Sequence, residues 1–108
     1  MIELESKEQF DDLLAETDEL VVVDFWAEWC GPCQTFGPIF KEVAQSCEDD
    51  GVTFVKVNIE AVPALSKEYG VRSIPEIIFI GGDGGEVLHS HSGVMTETEL
   101  EEKIDELS

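Results

Sequence analysis

The sequence predicts one α/β domain spanning residues 1–108, in which helices cover a central sheet. The apolar run from Leu20 to Phe25 does not alternate with polar residues, which is typical of a central strand buried on both faces. Segments with helical periodicity lie on both sides of this strand and begin at capping signals. No linker, repeat or low-complexity segment divides the 108 residues, a length that supports a single core.

Two helices are predicted in the first half of the chain. Ser6, with Gln9 three residues later, predicts a capping box and an amphipathic helix that runs to about Thr17. A second helix is predicted from Cys33 onward, until Asp49-Asp50-Gly51 ends it. The apolar face of this second helix consists of Phe36, Phe40, Val43, Ala44 and Cys47.

A strand and a short helix follow. Val52 to Ile59 is rich in β-branched residues and predicts a strand. Pro63 suits the first turn of the short helix, and Gly70 suits its C-terminal end.

The last part of the chain predicts a β-hairpin and a final helix. The strands Ile77 to Ile80 and Val87 to His91 flank a turn from Gly81 to Gly85 that contains four glycines. Thr96, with Glu99 completing a capping box, starts the last helix. Its buried stripe consists of Leu100, Ile104 and Leu107. The element order is therefore βαβαβαββα, of which the residue patterns delimit all but the first strand.

The charge balance limits the possible partners. Asp and Glu number 25 against 6 Lys and Arg, which gives a formal net charge of −19. Nucleic acids and anionic membranes are thereby disfavoured, because binding to either requires local positive charge. Self-repulsion at this density weakens the compact state in dilute salt and is screened at about 1 M salt. We therefore hypothesise a salt-rich cytoplasm and a monomeric protein; the alternative is an ordinary acidic surface that aids solubility.

The start of the chain and its hydropathy predict a soluble cytoplasmic protein. The opening residues Met1 to Ser6 have neither a basic segment nor an apolar one, as a signal peptide would. No apolar run approaches the roughly 20 residues of a membrane span.

The segment Cys30-Gly31-Pro32-Cys33 carries the clearest chemical signal. It lies where a strand leads into a helix, and the unpaired N–H groups of a helix N-terminus stabilise a thiolate. Cys30 is therefore the predicted nucleophile, and Cys33 is placed to close a disulfide with it. Half of a zinc site is the alternative. It is disfavoured because the only other soft ligands are Cys47, His89 and His91, without metal-site spacing.

Several further segments accompany this motif in a characteristic order. They are Val23-Asp24-Phe25-Trp26-Ala27, Gly37-Pro38, Lys56-Val57-Asn58-Ile59, Tyr69-Gly70-Val71-Arg72-Ser73-Ile74-Pro75 and Gly93. Together they resemble the thioredoxin family over nearly the whole chain. The resemblance implies a thioredoxin fold, a five-stranded mixed sheet flanked by four helices, with strand order β1-β3-β2-β4-β5 and the last two strands antiparallel.

The resemblance also implies an activity. Gly31-Pro32 is similar to the reducing members, whereas glutaredoxins usually have Pro-Tyr between the cysteines and disulfide isomerases Gly-His. The expected function is a protein disulfide reductase that acts by thiol–disulfide exchange, receives electrons from a thioredoxin reductase and needs no bound cofactor. Two alternatives stay open: a non-catalytic binding module of the same fold, and an oxidant or isomerase, which would have a higher reduction potential.

Asp24 and Lys56 are the further catalytic candidates. Asp24 lies within an apolar strand, where burial should raise its pKa. Such a carboxylate can accept the proton of Cys33 when that thiol attacks a mixed disulfide. Asp24 matches the buried acid of the family, and Lys56 matches the lysine that tunes it.

Substrate binding is predicted from the resemblance. In thioredoxins the proline at the position of Pro75 is cis, and the residue before it, here Ile74, pairs with an extended substrate through backbone hydrogen bonds. The whole substrate-binding set is Trp29, Gly31, Pro32, Ile59, Ile74, Pro75 and Gly93. Trp26 is expected to support the active loop from below.

Two features of the sequence concern the charge around Cys30. The stretch from Trp29 to Phe40 has no charged residue, either to protect a thiolate at Cys30 or because a buried helix needs apolar residues. Glu76 stands where the family commonly has threonine, which predicts a raised pKa of Cys30 or a preference for substrates with positive charge beside the disulfide.

Cys47 and the two histidines are given structural roles. Cys47 lies roughly 21 Å along the helix from Cys33, too far for a disulfide, and is expected to be a buried inert thiol, with redox regulation as the alternative. His89 and His91 share one strand face and are expected to be exposed.

Overall fold

A computed structural model describes residues 1–82 and 85–108. Asp83 and Gly84, two residues of the predicted glycine-rich turn, lie outside the described residues. The strands are β1 (Ile2–Glu3), β2 (Leu20–Trp26), β3 (Val52–Asn58), β4 (Glu76–Ile80) and β5 (Val87–Ser92). The helices are α1 (Lys7–Glu16), α2 (Gly31–Cys47), α3 (Pro63–Glu68) and α4 (Glu97–Leu107), and a 3-10 turn, Glu48–Asp50, follows α2.

The five strands form one mixed sheet in the order β1-β3-β2-β4-β5. β1 and β2 run parallel to β3, while β4 is antiparallel to both β2 and β5. The predicted strand order is confirmed, and Ile2–Glu3 supplies the first strand that the residue patterns did not delimit. In the described part of the chain, no helix is long and apolar enough to cross a membrane.

Helices cover both faces of the sheet. Every residue of β2 from Leu20 to Phe25 is buried, as its unbroken apolar run predicts. On one face Val22 packs with Phe36 and Phe40 of α2 and with side chains of α4. We call this the α2 face. Val21, Val23 and Phe25 point to the other face, where they pack with Phe10 of α1 and Leu65 of α3. Asp24 therefore shares the α2 face with Val22.

The two predicted capping boxes differ in the structure. At α4 both bonds form: the Glu99 N–H donates to Thr96 Oγ1 at 3.1 Å, and the Thr96 N–H donates to Glu99 Oε1 at 2.9 Å. At α1 the Gln9 N–H donates to Ser6 Oγ, but the Gln9 side chain accepts from the Glu5 N–H instead of Ser6. The box predicted at Ser6 is thus only half correct, because Gln9 reaches the neighbouring amide.

The predicted exposure of His89 and His91 is wrong. Both are half-buried, because β5 pairs them with Phe79 and Ile77 of β4 and so directs them toward the α2 face. The His89 ring lies 5.7 Å from the Phe79 ring. Together with residues of α4, including Glu102, the two histidines line a shallow depression.

Candidate active site

The cysteine motif forms the turn from β2 into α2. The Cys30 N–H donates to Ala27 O at 3.2 Å, and the Gln34 N–H donates to Cys30 O at 3.2 Å. α2 begins at Gly31, two residues earlier than the sequence predicts. Cys30 therefore occupies the N-cap position, and its own sulfur accepts from the Cys33 N–H at 3.2 Å. The sequence places Cys30 at the start of a helix but does not predict that it caps the helix, because cysteine is not among the residues usually found at an N-cap.

Cys30 and Cys33 form a disulfide, with 5.2 Å between their Cα atoms. The two residues are equally covered, 4% and 5% exposed, so exposure does not distinguish the nucleophile. A hydrogen bond distinguishes them: among the described residues, the sulfur of Cys30 accepts a backbone N–H at the positive end of α2, and that of Cys33 accepts none. After reduction, that N–H and the helix dipole stabilise a thiolate at Cys30.

A cis peptide bond between Ile74 and Pro75 lies beside the disulfide. The sulfur of Cys30 is 3.6 Å from the Ile74 carbonyl oxygen. Pro75 O accepts from the Gly93 N–H at 2.8 Å, which joins the loop to the end of β5. The structure thus confirms the cis bond and brings Ile74, Pro75 and Gly93 together with the cysteine pair.

Apolar residues surround the disulfide. Ala27 and the two cysteines form a small buried cluster, against which Trp26, Ile59 and Ile74 pack. Trp29 is 67% exposed, and Val94, which follows Gly93, is 36% exposed. Exposed apolar side chains next to a reactive pair are suited to contact another protein. The residue patterns missed Val94, although an apolar residue directly after Ser92-Gly93 could have indicated it.

Asp24 is the one charged residue buried in the described core, at 1% exposure. Burial raises its pKa to about 7, and the positive charge of Lys56 partly opposes this rise. Lys56 is its neighbour across the β2–β3 ladder. Neither carboxylate oxygen has a hydrogen-bond partner in the described part of the chain. The predicted rise in the pKa of Asp24 is therefore confirmed, and its cause is burial.

Lys56 lies over the indole of Trp26, with Nζ 4.7 Å from the ring centroid. This is within the range of a cation–π interaction. Both side chains line a pocket of about 300 Å³, together with Glu28 and two acidic residues near β1. The ammonium of Lys56 is thus held near Asp24 on the α2 face, and Trp26 lies between the active loop and β3.

Cys47 lies at the other end of α2 and is half-buried, rather than fully buried as predicted. It is partly buried and packs against the core cluster of the α2 face. Burial raises the pKa of its thiol, and the nearby carboxylates of Glu101, Asp50 and Asp105 raise it further. Both effects disfavour the thiolate, which is consistent with an unreactive thiol. Among the described residues, no three His, Cys, Asp or Glu are placed to hold a metal ion.

Comparisons with known proteins agree with this geometry. The family model for thioredoxin matches residues 1–106. Thioredoxin of Mycoplasmoides gallisepticum is 44% identical over 104 residues, which cover 96% of this chain and 99% of that protein. Thioredoxin of Chlorobaculum thiosulfatiphilum is 36% identical, over 90% of this chain and 87% of that protein.

Solved structures give the same result. The X-ray structure of Fasciola hepatica thioredoxin matches with a TM-score of 0.90 at 31% identity, and each chain is covered completely. Reduced Schistosoma mansoni thioredoxin matches with a TM-score of 0.87 at 32% identity, over 99% of this chain and 97% of that one. With its cysteine pair joined as a disulfide, the protein is a thiol–disulfide oxidoreductase that reduces protein disulfides. The chain belongs to the thioredoxin family.

Proposed function

We propose that Cys30 and Cys33 divide the reduction of a protein disulfide into two exchange steps. In the first, the Cys30 thiolate attacks one substrate sulfur, the substrate S–S bond breaks, and the other substrate sulfur leaves as a thiolate. In the second, Cys33 attacks Cys30 and releases the second substrate thiol. The substrate gains two electrons, and the protein returns to the Cys30–Cys33 disulfide. The Cys33 N–H bound to Cys30 Sγ is the observation that supports this assignment.

Asp24 serves as the proton acceptor for Cys33 in this scheme. Its pKa of about 7 gives it an affinity for the proton suited to exchange near neutral pH. The carboxylate lies on the face of the sheet that is covered by α2, the helix that begins at the cysteine pair. Lys56 limits the rise of the Asp24 pKa, so that a fraction of the carboxylate is ionised and able to accept a proton.

The substrate docks across the loop beside the disulfide. An extended peptide pairs with the backbone of Ile74, next to Pro75, and strand-like pairing demands little of the substrate sequence. Trp29, Ile59 and Gly93 contribute apolar or backbone surface, to which the exposed Val94 adds. Gly31 and Pro32 complete the platform. Their lack of bulky or charged side chains leaves room for the substrate backbone.

The remaining partners follow from the same chemistry. The disulfide formed in each cycle must be reduced again, and a thioredoxin reductase is the proposed electron donor, so the protein takes part in electron transport and cell redox homeostasis. The net charge of −19 supports a monomer that avoids nucleic acid and anionic membranes. The proposed compartment is the cytoplasm, where a dithiol is kept reduced.

Steady-state reduction of a protein disulfide tests this function. With a small dithiol as electron donor, the wild-type protein should accelerate the loss of substrate disulfide far above the donor alone. Cys47→Ser should retain that rate, because Cys47 lies at the far end of α2. Folded wild-type protein that shows no acceleration would support the binding-module alternative instead.

Salt dependence of stability tests the proposal of a salt-rich cytoplasm. Few acids are paired: in the described part of the chain, ion pairs involve Lys7 with Asp11 and Glu68, and Lys103 with Glu106. Repulsion among the others is screened as the Debye length falls to about 3 Å at 1 M salt. Urea titrations should show the free energy of unfolding rising by more than about 1 kcal/mol between dilute buffer and molar KCl, a large share of a typical stability. If the free energy of unfolding stayed constant or fell with rising KCl, the proposal of a salt-rich cytoplasm would be wrong. The acidic surface would then be explained by solubility alone.

A further inference from the structure

Glu76 and Ser92 form a polar pair at the edge of the proposed docking loop. They face each other across the β4–β5 ladder, and Ser92 Oγ donates to Glu76 Oε2. The next residues toward the active site are Pro75 and Gly93, joined by the Gly93 N–H to Pro75 O bond of 2.8 Å. Glu76 and Ser92 are therefore the pair of facing residues in the β4–β5 hairpin that lies next to the docking loop.

The carboxylate of Glu76 differs from its surroundings. The stretch from Trp29 to Phe40 carries no charge, and Trp29 and Val94 present exposed apolar side chains, whereas Glu28 and Arg72 are exposed charged residues that flank the site in the chain. Ser92 is exposed and Glu76 is half-buried, so a chain crossing Pro75 and Gly93 can contact the pair. The hydrogen bond from Ser92 holds the Glu76 carboxylate in place instead of leaving it free in solvent.

Glu76 is expected from the sequence either to raise the pKa of Cys30 or to favour substrates with positive charge beside the disulfide. Its position in the sheet distinguishes between these two effects. Its partner in β2 is Phe25, whose side chain packs on the face covered by α1 and α3. α2 covers the opposite face, and the cysteine pair at its start forms a separate cluster at the end of the sheet, against which Trp26, Ile59 and Ile74 pack. The carboxylate thus lies beside the path of a docked peptide, with the end of the sheet between it and the thiols. This favours an effect on the substrate over an effect on the pKa of Cys30.

We infer that Glu76, held by Ser92, is a specificity-determining residue that favours disulfide substrates with a lysine or arginine near the reactive cysteine. The inference rests on the proposed docking of substrate along Ile74 and Pro75. Charge complementarity at the rim of an interface changes partner choice and association more than it changes the chemistry. In the described part of the chain no ion pair joins Glu76 to Arg72, the exposed cation on the other side of Ile74. Its charge is therefore not cancelled within the protein by that residue.

Peptide disulfides of matched sequence test the inference. Three short peptides, each closed by one disulfide, would differ only in having Lys, Gln or Glu two residues from the reactive cysteine. In dilute buffer the wild-type protein should reduce the Lys peptide with a kcat/KM about two- to fivefold above the Gln peptide, and the Glu peptide should be the slowest. In Glu76→Gln, and equally in Glu76→Thr, the ratio of Lys to Gln should fall toward one.

A control separates a local contact from the overall negative charge. Glu101→Gln removes the same charge from an exposed position on α4, near Cys47 and far from the loop. It should keep the wild-type ratio. An unchanged ratio in both Glu76 variants, or an equal loss in Glu101→Gln, would overturn the inference. Reduction of all three peptides at one rate would overturn it while leaving the proposed function intact, whereas failure of folded protein to reduce any of them would contradict the proposed function itself.

Discussion

Replacing Cys33 with serine should stop turnover but leave the first chemical step intact. The Cys30 thiolate is stabilised by the N-terminus of α2 and by the N–H of residue 33, which a serine retains. It can therefore still attack a substrate disulfide and release one substrate thiol per protein molecule. Without Cys33 the mixed disulfide cannot be resolved, so we expect steady-state turnover to fall more than about a hundredfold.

The matched variant is Cys30→Ser, which should lose both steps. The remaining thiol at Cys33 lies within the first turn of α2, and its sulfur accepts no backbone N–H from the part of the chain that the structure describes. In a single turnover, the small thiol released from the substrate should be separated from the acid-quenched protein by filtration and then counted with a chromogenic reagent, because one protein thiol is consumed for each substrate thiol released. A stoichiometric burst is expected from Cys33→Ser and none from Cys30→Ser. Equal bursts from the two variants would mean that the helix terminus does not select the nucleophile.

Replacing Asp24 with asparagine should stabilise the protein at alkaline pH. The pKa of Asp24 is about 7 in the folded state, against an ordinary value of 3.8 for an aspartate in an unfolded chain. Between these two values the folded state holds a proton that the unfolded state has released, so the free energy of unfolding falls as pH rises from about 4 to 7. The difference between a pKa of 3.8 and one of about 7 corresponds to about 4 kcal/mol of unfolding free energy, which is lost in full above pH 7.

Asp24→Asn has no titrating carboxyl group at this position, so its free energy of unfolding does not show this loss with rising pH. We expect its stability to exceed that of the wild type at pH 8 by up to about 4 kcal/mol, and the difference to shrink toward low pH. Chemical denaturation of both proteins at several pH values measures this, and subtracting one curve from the other removes the titration of the other carboxylates. A difference that stays constant from pH 4 to 8 would show that Asp24 is ionised in the folded state throughout.

The same substitution should slow the second exchange step. Asparagine cannot accept the proton of Cys33, and a positioned general base contributes roughly a hundredfold or more. In the wild type the step should slow as pH falls through about 7, because protonated Asp24 is no longer an acceptor. Rapid-mixing measurement of mixed-disulfide decay should show this inflection in the wild type and its absence in Asp24→Asn. A variant that resolves the mixed disulfide at the wild-type rate would remove Asp24 from the mechanism.

The elements of the fold follow from local signals in the sequence. Helical and strand periodicities, the box at Thr96 and the stop at Gly70, with its φ of 64°, predict most of them to within two residues. The bounds of β1 were not predicted, because a strand of two residues is too short to show a periodic pattern. Periodicity did not predict the order of the strands in the sheet; the family resemblance did, because pairing partners far apart in the chain leave no local pattern.

The candidate site likewise has features that the local sequence predicts and features that depend on long-range contacts. The burial of Asp24 and its raised pKa follow from its place in an apolar strand. The bond between Glu76 and Ser92 and the half-buried position of His89 depend on which groups the fold brings together. Sequence spacing does not determine such contacts, because a change of one residue in register would redirect each side chain to the other face of the sheet.

Mapping the trapped complex tests the central claim most directly. Cys33→Ser would be mixed with a disulfide substrate, quenched with acid and digested, and the cysteine bound to the substrate would be identified by mass spectrometry. The mechanism predicts a mixed disulfide on Cys30, formed rapidly and in nearly stoichiometric amount. If Cys47 carries the substrate, or if Cys30→Ser traps substrate on Cys33 at the same rate, Cys30 is not the selected nucleophile and the proposed division of roles is wrong.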